Sequence, residues 1–207
     1  MLGKDAFQRS KQFVEAQARP LDVAHMRFHL DSAPAETLLK ELESFQNDDG
    51  GFASAMAPDL SDRESSPLGT SIAFQYMREI GQAPFEGIAS KSVRYFADTF
   101  DEDQGVWRII PDSVEDTPHP PWFNRSGLEQ TFGSFKLNPT AEILGYLYDY
   151  QDSLAEPLID TLSRNVLAHV GSLEEIEMHG FLCCKRLAET EKINPEFRAA
   201  LIWNLRR

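Results

Sequence analysis

An internal repeat constrains the fold of this chain more than any other feature. The pattern F-x-x-D-x-G-x-[FW] occurs twice, as FQNDDGGF at 45–52 and as FDEDQGVW at 100–107, an offset of 55 residues. A helical pattern precedes each copy. A long loop follows each copy and ends at a Ser-Pro or Asn-Pro pair that opens another helix. Repeats of this length with one helical hairpin each are typical of helical-hairpin arrays.

The repeated motif has the composition of a corner at the end of a helix. Its glycine permits a positive φ angle, and its aspartate can accept hydrogen bonds from backbone amides in the turn. Its two aromatic side chains can clamp the corner onto the next hairpin. We therefore expect Gly50 and Gly105 to lie in turns just past helix ends. The aromatic residues expected to be largely buried are Phe45, Phe52, Phe100 and Trp107.

Capping pairs and apolar periodicity predict an all-α protein. Ser66-Pro67, Asn138-Pro139 and Asn194-Pro195 each place a capping side chain before a proline, which suits the start of a helix. Apolar residues follow each pair at helical spacing, and no segment shows convincing strand alternation. The predicted helices lie near 3–18, 20–31, 33–46, 66–80, 86–100, 138–151, 157–170, 174–190 and 194–206.

Composition limits the class of protein. With 207 residues, of which 42% are apolar and 26% charged, the chain is expected to form a single domain over 1–207. The net charge of −13 and the lack of a Lys/Arg cluster exclude phosphate-based nucleic-acid binding and docking on anionic membranes. No stretch approaches eighteen apolar residues, so neither membrane insertion nor a signal peptide is expected. The only cysteines, Cys183 and Cys184, are adjacent and poorly placed for a disulfide, which predicts a reducing, cytoplasmic location.

The first copy of the motif, LESFQNDDGGF, resembles the QW-type motif of squalene cyclases and protein prenyltransferase β subunits. A group of bacterial proteins described as containing prenyltransferase/squalene-oxidase repeats is more similar still. That similarity also runs through PDLSDRESSPLGTSIAFQYMREIG, VRYFADTFDEDQGVW, PHPPWF and NPTAEILGYL, and so covers most of 33–150. The resemblance implies an α/α toroid, a barrel of alternating inner and outer helices with a central ligand cavity.

The chain departs from these families in its chemistry and its length. The D-x-D-D acid of class II terpene cyclases is approached only by Asp101-Glu102-Asp103-Gln104, which lies inside a repeat corner. The separate Asp, Cys and His residues that hold zinc in prenyltransferase β subunits have no equivalent set. Nine helices are too few for a closed toroid, so we expect an open arc or a toroid lacking its C-terminal hairpins.

Two long loops, 47–65 and 101–137, carry the first candidate site residues. By repeat equivalence both loops should emerge on the same side of the array, where sites usually form. Asp59 is a candidate general acid, and Ser66 and Thr70 lie at a helix start whose amides suit an anionic group. Alternatively, this segment is a loop of capping residues with Ser66 as the N-cap.

The second loop and the helix after it supply the remaining candidates. His119, flanked by prolines and by Trp122, suits a proton carrier or a lid, or else simply stiffens the loop. Asn138 and Glu142 lie one helical turn apart and could face a cavity; alternatively, they cap the helix and complement its dipole. We predict Asp59, His119 and Glu142 as catalytic residues in one cleft, with Ser66, Thr70, Trp122 and Asn138 binding the ligand.

No metal or cofactor is predicted. His179 and Cys183 stand at i and i+4 on one helix face, the spacing of a two-ligand metal pair, but no further ligands are indicated. Packing of the cysteine in the core is the simpler interpretation.

Three functions remain open at this stage. The resemblance implies isoprenoid chemistry on an apolar small molecule held at the axis of the toroid. Because α/α toroids also include glycoside hydrolases and lyases, paired carboxylates with a stacking tryptophan would indicate a carbohydrate substrate. A protein that kept the fold and lost the chemistry would be a non-catalytic binding or scaffold protein.

Overall fold

The computed structural model describes residues 3–81, 86–150 and 156–206, and helices make up well over half of them. All nine predicted helices are present, with ends shifted by a few residues; Gln151, the predicted end of one, lies outside the described residues. The prediction of a mostly helical protein is therefore confirmed. The helices are α1 (Lys4–Gln17), α2 (Pro20–Asp31), α3 (Ala35–Glu43), α4 (Pro67–Ile80), α5 (Glu86–Thr99), α6 (Arg125–Phe132), α7 (Leu137–Asp149), α8 (Glu156–Ser172), α9 (Met178–Ala188) and α10 (Pro195–Leu205).

Helix α6 was not predicted, because its sequence lies in a segment rich in Pro, Ser and Gly. Its start is fixed locally: the Asn124 side chain accepts a hydrogen bond from the Gly127 amide at 2.7 Å. A capping asparagine marks the start of a helix as clearly as the Ser-Pro and Asn-Pro pairs do. The helix has only eight residues, too few for a clear apolar period.

Each repeated motif takes part in a very short antiparallel pair of strands, although the second strand of the first pair lies at the end of the following loop. In the first corner β1 (Phe52–Ala53) pairs with β2 (Ser65–Ser66), and in the second β3 (Phe100–Asp101) pairs with β4 (Val106–Trp107). Strands of two residues are too short to show alternation in the sequence.

The corner prediction is confirmed in its glycines and in two of its aromatic residues. Gly50 and Gly105 have φ angles of 86° and 69°, a region that suits glycine. Phe52 and Trp107 are fully buried, whereas Phe45 and Phe100 are only partly buried.

The aspartates that cap the turns are not those shared by the two motifs. Asp49 accepts a hydrogen bond from the Gly51 amide, and Asp101 accepts one from the Gln104 amide, each at 2.9 Å. The turn chemistry was therefore correct, but the position of the carboxylate within the motif was not.

The chain divides into two compact units, Met1–Gln46 and Asn47–Arg207. In the N-terminal unit, α2 packs against α3 and buries Leu21, Ala24, Leu38 and Leu42. In the C-terminal unit, α7 is the central helix and packs against α4, α5, α8 and α9. Because it is enclosed on all sides, nearly every residue of α7 is buried, including two carboxylates, Glu142 and Asp149. No helix among the described residues is long and apolar enough to cross a membrane.

Candidate functional site

A buried carboxylate on α7 organises the centre of the C-terminal unit. Glu142 is 1% exposed, and donors from three helices converge on it. One oxygen, Oε1, accepts three hydrogen bonds and the other, Oε2, accepts two. The donors are Ser71 Oγ at 2.8 Å, Gln75 Nε2 at 2.7 Å, Tyr146 OH at 2.7 Å, Arg186 Nη1 at 2.7 Å and Cys183 Sγ at 3.5 Å.

A second buried ion pair lies two helical turns further along α7. Asp149 Oδ2 accepts hydrogen bonds from Arg78 Nη2 at 2.7 Å and from Nε at 3.2 Å. The same guanidinium donates to the Thr190 hydroxyl and to the Arg186 carbonyl, and lies 4.4 Å from the centre of the Tyr146 ring. Together the Glu142 and Asp149 pairs link α4, α7 and the end of α9 through charged hydrogen bonds, which are stronger than hydrogen bonds between neutral groups.

The first residues of α4, α7 and α9 surround one cavity, and their last residues surround another. These three helices therefore run in the same direction. The cavity at their N-terminal ends has a volume of about 680 Å³ and is mostly apolar. Its apolar lining includes Leu68, Ile109, Trp122, Leu137, Leu173 and Ile176.

A smaller recess of about 180 Å³ adjoins this apolar cavity. The two share Leu68, Asn138, Pro139 and His179. The recess continues between α4 and α9 to Glu142, Cys183 and Arg186. The apolar cavity thus has a polar inner end, an arrangement typical of small-molecule sites.

The structure brings three of the predicted site residues to these adjoining cavities. Trp122 lines the apolar cavity and is 63% exposed. Asn138 lines both the apolar cavity and the recess, and Glu142 lines the recess. The two long loops also contact each other, since Ser113 Oγ donates to the Asp62 carboxylate at 2.8 Å. The second loop also contacts the start of α4, where the Leu68 amide donates to the Ile109 carbonyl at 3.3 Å.

Ser66 and Thr70 are occupied in local structure. Ser66 Oγ accepts from the Gly69 amide at 2.9 Å and is the N-cap of α4. The Thr70 hydroxyl accepts from the Phe52 amide and donates to the Ser66 carbonyl. Both residues are buried, so the capping interpretation describes their contacts.

Asp59 and His119 line neither of the two adjoining cavities. Asp59 is exposed in a turn. His119 is partly buried, and its Nδ1 lies 2.7 Å from the Thr117 carbonyl oxygen, so this nitrogen donates within its own loop. Their catalytic roles stay predictions.

Burial and charge shape the chemistry of the groups around Glu142. Burial, and then the Glu142 charge, raise the pKa of Tyr146 well above its ordinary value. Burial by itself would lower the pKa of the Arg186 guanidinium. The charge of Glu142 and its hydrogen bond to Arg186 act in the opposite direction, and the pKa is raised overall. Burial and the Glu142 charge also raise the pKa of the Cys183 thiol, and burial raises the pKa of Cys184 to about 12.

A metal bound by Cys183 would need further ligand atoms from neighbouring side chains. Among the described residues of the C-terminal unit, no three ligand atoms of His, Cys, Asp or Glu lie close enough to share an ion.

We predict that neither cysteine reacts with a thiol reagent in the folded protein at mildly alkaline pH. Both side chains are buried, and at that pH a thiol with a raised pKa is almost entirely neutral. Titration with 5,5′-dithiobis-(2-nitrobenzoate) should detect both thiols only after denaturant is added. Rapid labelling of one thiol in the folded protein would contradict the burial and the pKa shift alike.

Sequence reasoning missed Ser71, Gln75, Arg78 and Arg186. A weak signal was present, because Ser71, Gln75 and Arg78 follow one another at helical spacing on α4. Their partners, Glu142 and Asp149, lie on another helix about seventy residues away, and a single sequence gives no spacing for such pairs.

No family model matches the sequence, and no match was found among the curated proteins or the solved structures.

Proposed function

We propose that the C-terminal unit is an arc of an α/α toroid and binds an apolar, isoprenoid-type small molecule. The arrangement of its helices supports the arc. Helices α4, α7 and α9 run in the same direction and would form its inner row. Of the helices that follow them in the sequence, α5 packs against α4 and α7, α8 against α7 and α10, and α10 against α8 and α9, while the short α6 also lies between α5 and α7. Alternating inner and outer helices are the pattern of the toroid families that the sequence resembles.

The observation that carries the ligand proposal is the apolar cavity itself. Its volume of about 680 Å³ lies within the range of small-molecule sites. Trp122 leaves most of its indole surface in contact with water, and covering that surface with an apolar ligand would be favourable. Asn138 and His179, which lie where the apolar cavity meets the recess, suit a polar head on an otherwise apolar molecule. The other polar lining residues are Lys136, His169, Glu175 and Glu177.

The contacts of Glu142 favour binding over acid–base catalysis. A carboxylate offers about four lone-pair positions, and five donors already point at this one. It has no acceptor position left for a substrate. Hydrolysis of a sugar would need a second carboxylate placed for catalysis in the same cleft. Asp59 lines neither the apolar cavity nor the recess, and the glutamates that line the apolar cavity, Glu175 and Glu177, are exposed, with Glu177 engaged as the N-cap of α9.

Binding of farnesol, an isoprenoid alcohol, tests the proposal. Displacement of a fluorescent apolar dye by farnesol should be saturable with the natural protein, and maltose should displace none. Trp122→Ala should weaken farnesol binding roughly tenfold, the effect of losing about 1.4 kcal/mol of contact. Leu173→Trp should abolish binding by filling the cavity from a partly exposed position.

The matched control is Trp203→Ala, which removes an indole that is 70% exposed on α10 and lines neither cavity. It should leave farnesol affinity unchanged. If the Trp122→Ala and Leu173→Trp variants bound farnesol as tightly as the natural protein does, farnesol would bind elsewhere. Displacement by maltose instead of farnesol would overturn the apolar assignment in favour of a carbohydrate.

A further inference from the structure

Two histidines on α2 form a cluster that the function proposed above does not use. His25 and His29 are four residues apart, so their side chains lie on one face of the helix, one turn from each other. Their Nε2 atoms are 3.0 Å apart, and their rings meet edge to face with centres 4.7 Å apart. Both residues belong to the N-terminal unit, and neither lines the apolar cavity.

The short distance between the two nitrogens shows that a lone pair lies between the rings. Two N–H groups cannot face each other at 3.0 Å, so at least one of the Nε2 atoms presents its lone pair to the other. The Phe28 ring packs edge-on against His29, with centres 5.1 Å apart, and limits the rotation of that imidazole. His29 is exposed and the contact between the two nitrogens is exposed, so an ion from solvent can reach the pair.

The separation of the nitrogens suits a metal ion with tetragonal coordination. A metal about 2.0 Å from each nitrogen would have an N–metal–N angle of about 95°. Neighbouring ligands in square-planar and tetragonal sites of Cu²⁺ or Ni²⁺ lie near a right angle, whereas tetrahedral Zn²⁺ would need nitrogens about 3.3 Å apart. Of these ions, Cu²⁺ binds nitrogen ligands most tightly. Ca²⁺ and Mg²⁺ are disfavoured because they take oxygen ligands.

We propose that His25 and His29 bind one Cu²⁺ ion through their Nε2 atoms, with water completing the coordination. Helical zinc enzymes use the same H-x-x-x-H spacing, but there a glutamate follows the first histidine and acts as the general base. In this chain Met26 follows His25. Asp22, one turn before His25, is held by Arg19 through hydrogen bonds of 2.8 and 2.9 Å. The pair is therefore a binding site and not a hydrolytic centre, and it does not rest on the function proposed above.

Calorimetric titration with Cu²⁺ in a weakly chelating buffer tests the site. The natural protein should bind one Cu²⁺ ion, more tightly than Ni²⁺ or Zn²⁺, and the electron paramagnetic resonance spectrum of the complex should show coupling to two nitrogens. His25→Gln and His29→Gln should each weaken binding about a hundredfold, because the ion then loses its second, intramolecular ligand. Glutamine is a good helix former and should preserve α2, which circular dichroism checks.

The matched control is the double variant His29→Gln/Leu30→His. It keeps the number of histidines but turns one of them about 140° away from His25 around the helix. Because Leu30 is 52% exposed, the change should be tolerated, and the variant should bind Cu²⁺ as weakly as His29→Gln does. His119→Gln, which removes a histidine of the second loop, should leave the affinity unchanged.

If a variant of α2 unfolds, nuclear magnetic resonance of the natural protein decides. Paramagnetic Cu²⁺ should broaden the ring resonances of His25 and His29 before those of the other histidines. Broadening of another histidine first would refute the proposal. So would tighter binding of Zn²⁺ than of Cu²⁺, or full affinity for Cu²⁺ in the variant His29→Gln/Leu30→His.

Discussion

Replacing Trp107 by alanine will destabilise the C-terminal unit by about 3–5 kcal/mol, the usual loss for a large buried aromatic side chain. Trp107 is 1% exposed. Its indole nitrogen donates to the Phe96 carbonyl at 2.9 Å, and its ring packs edge-on against Phe96 and Phe100. Alanine leaves both a cavity and a buried carbonyl without its donor.

Urea denaturation followed by far-ultraviolet circular dichroism measures this loss. The matched control is Trp203→Ala, since that indole is 70% exposed and a surface replacement usually changes stability by no more than about 0.5 kcal/mol. An unchanged urea midpoint for Trp107→Ala would show that the second corner does not support the fold. The corner is the element that the repeat predicts most directly, so the experiment also tests the repeat.

Glu142→Gln should destabilise the unit by about 2–4 kcal/mol, through loss of the negative charge and of half its acceptor capacity. Glutamine keeps one acceptor oxygen, but its NH₂ group takes the place of the other. The donors that bind that second oxygen in the natural protein would then face another donor. Either the three donors on Oε1 or the two on Oε2 then lose their partner. The expected loss is below that for a fully buried ion pair because the Arg186 side chain is 36% exposed and keeps part of its hydration.

The control for Glu142 is Glu189→Gln, which breaks an exposed ion pair with Lys185 spaced i to i+4. Such a pair contributes about 0.3–0.5 kcal/mol. The double variant Glu142→Gln/Arg186→Met should lose less unfolding free energy than the two single variants lose together, because methionine leaves no unpaired charge. Strict additivity would show that the two side chains do not interact in solution.

The sequence alone determined nine of the ten helical segments that the structure describes. Helix caps, prolines and apolar spacing act over a few residues, and the local interactions that they report are the same in the folded chain. The glycines of the corners, Gly50 and Gly105, were predicted for the same reason, since a positive φ angle is a property of one residue. Helix α6 escaped because eight residues give too little periodicity.

Only the tertiary structure decided which polar residues meet. The sequence predicted Glu142 as a catalytic residue on a cavity wall, or else as an acid that complements the dipole of α7. In the structure it is the acceptor for donors on α4, α7 and α9. The sequence predicted Asp59, His119 and Trp122 alike as site residues around one cleft. Of these three, only Trp122 lines the apolar cavity. Hydrogen bonds between helices depend on how the helices pack, and the spacing of polar residues within one helix does not show which residues of another helix they meet.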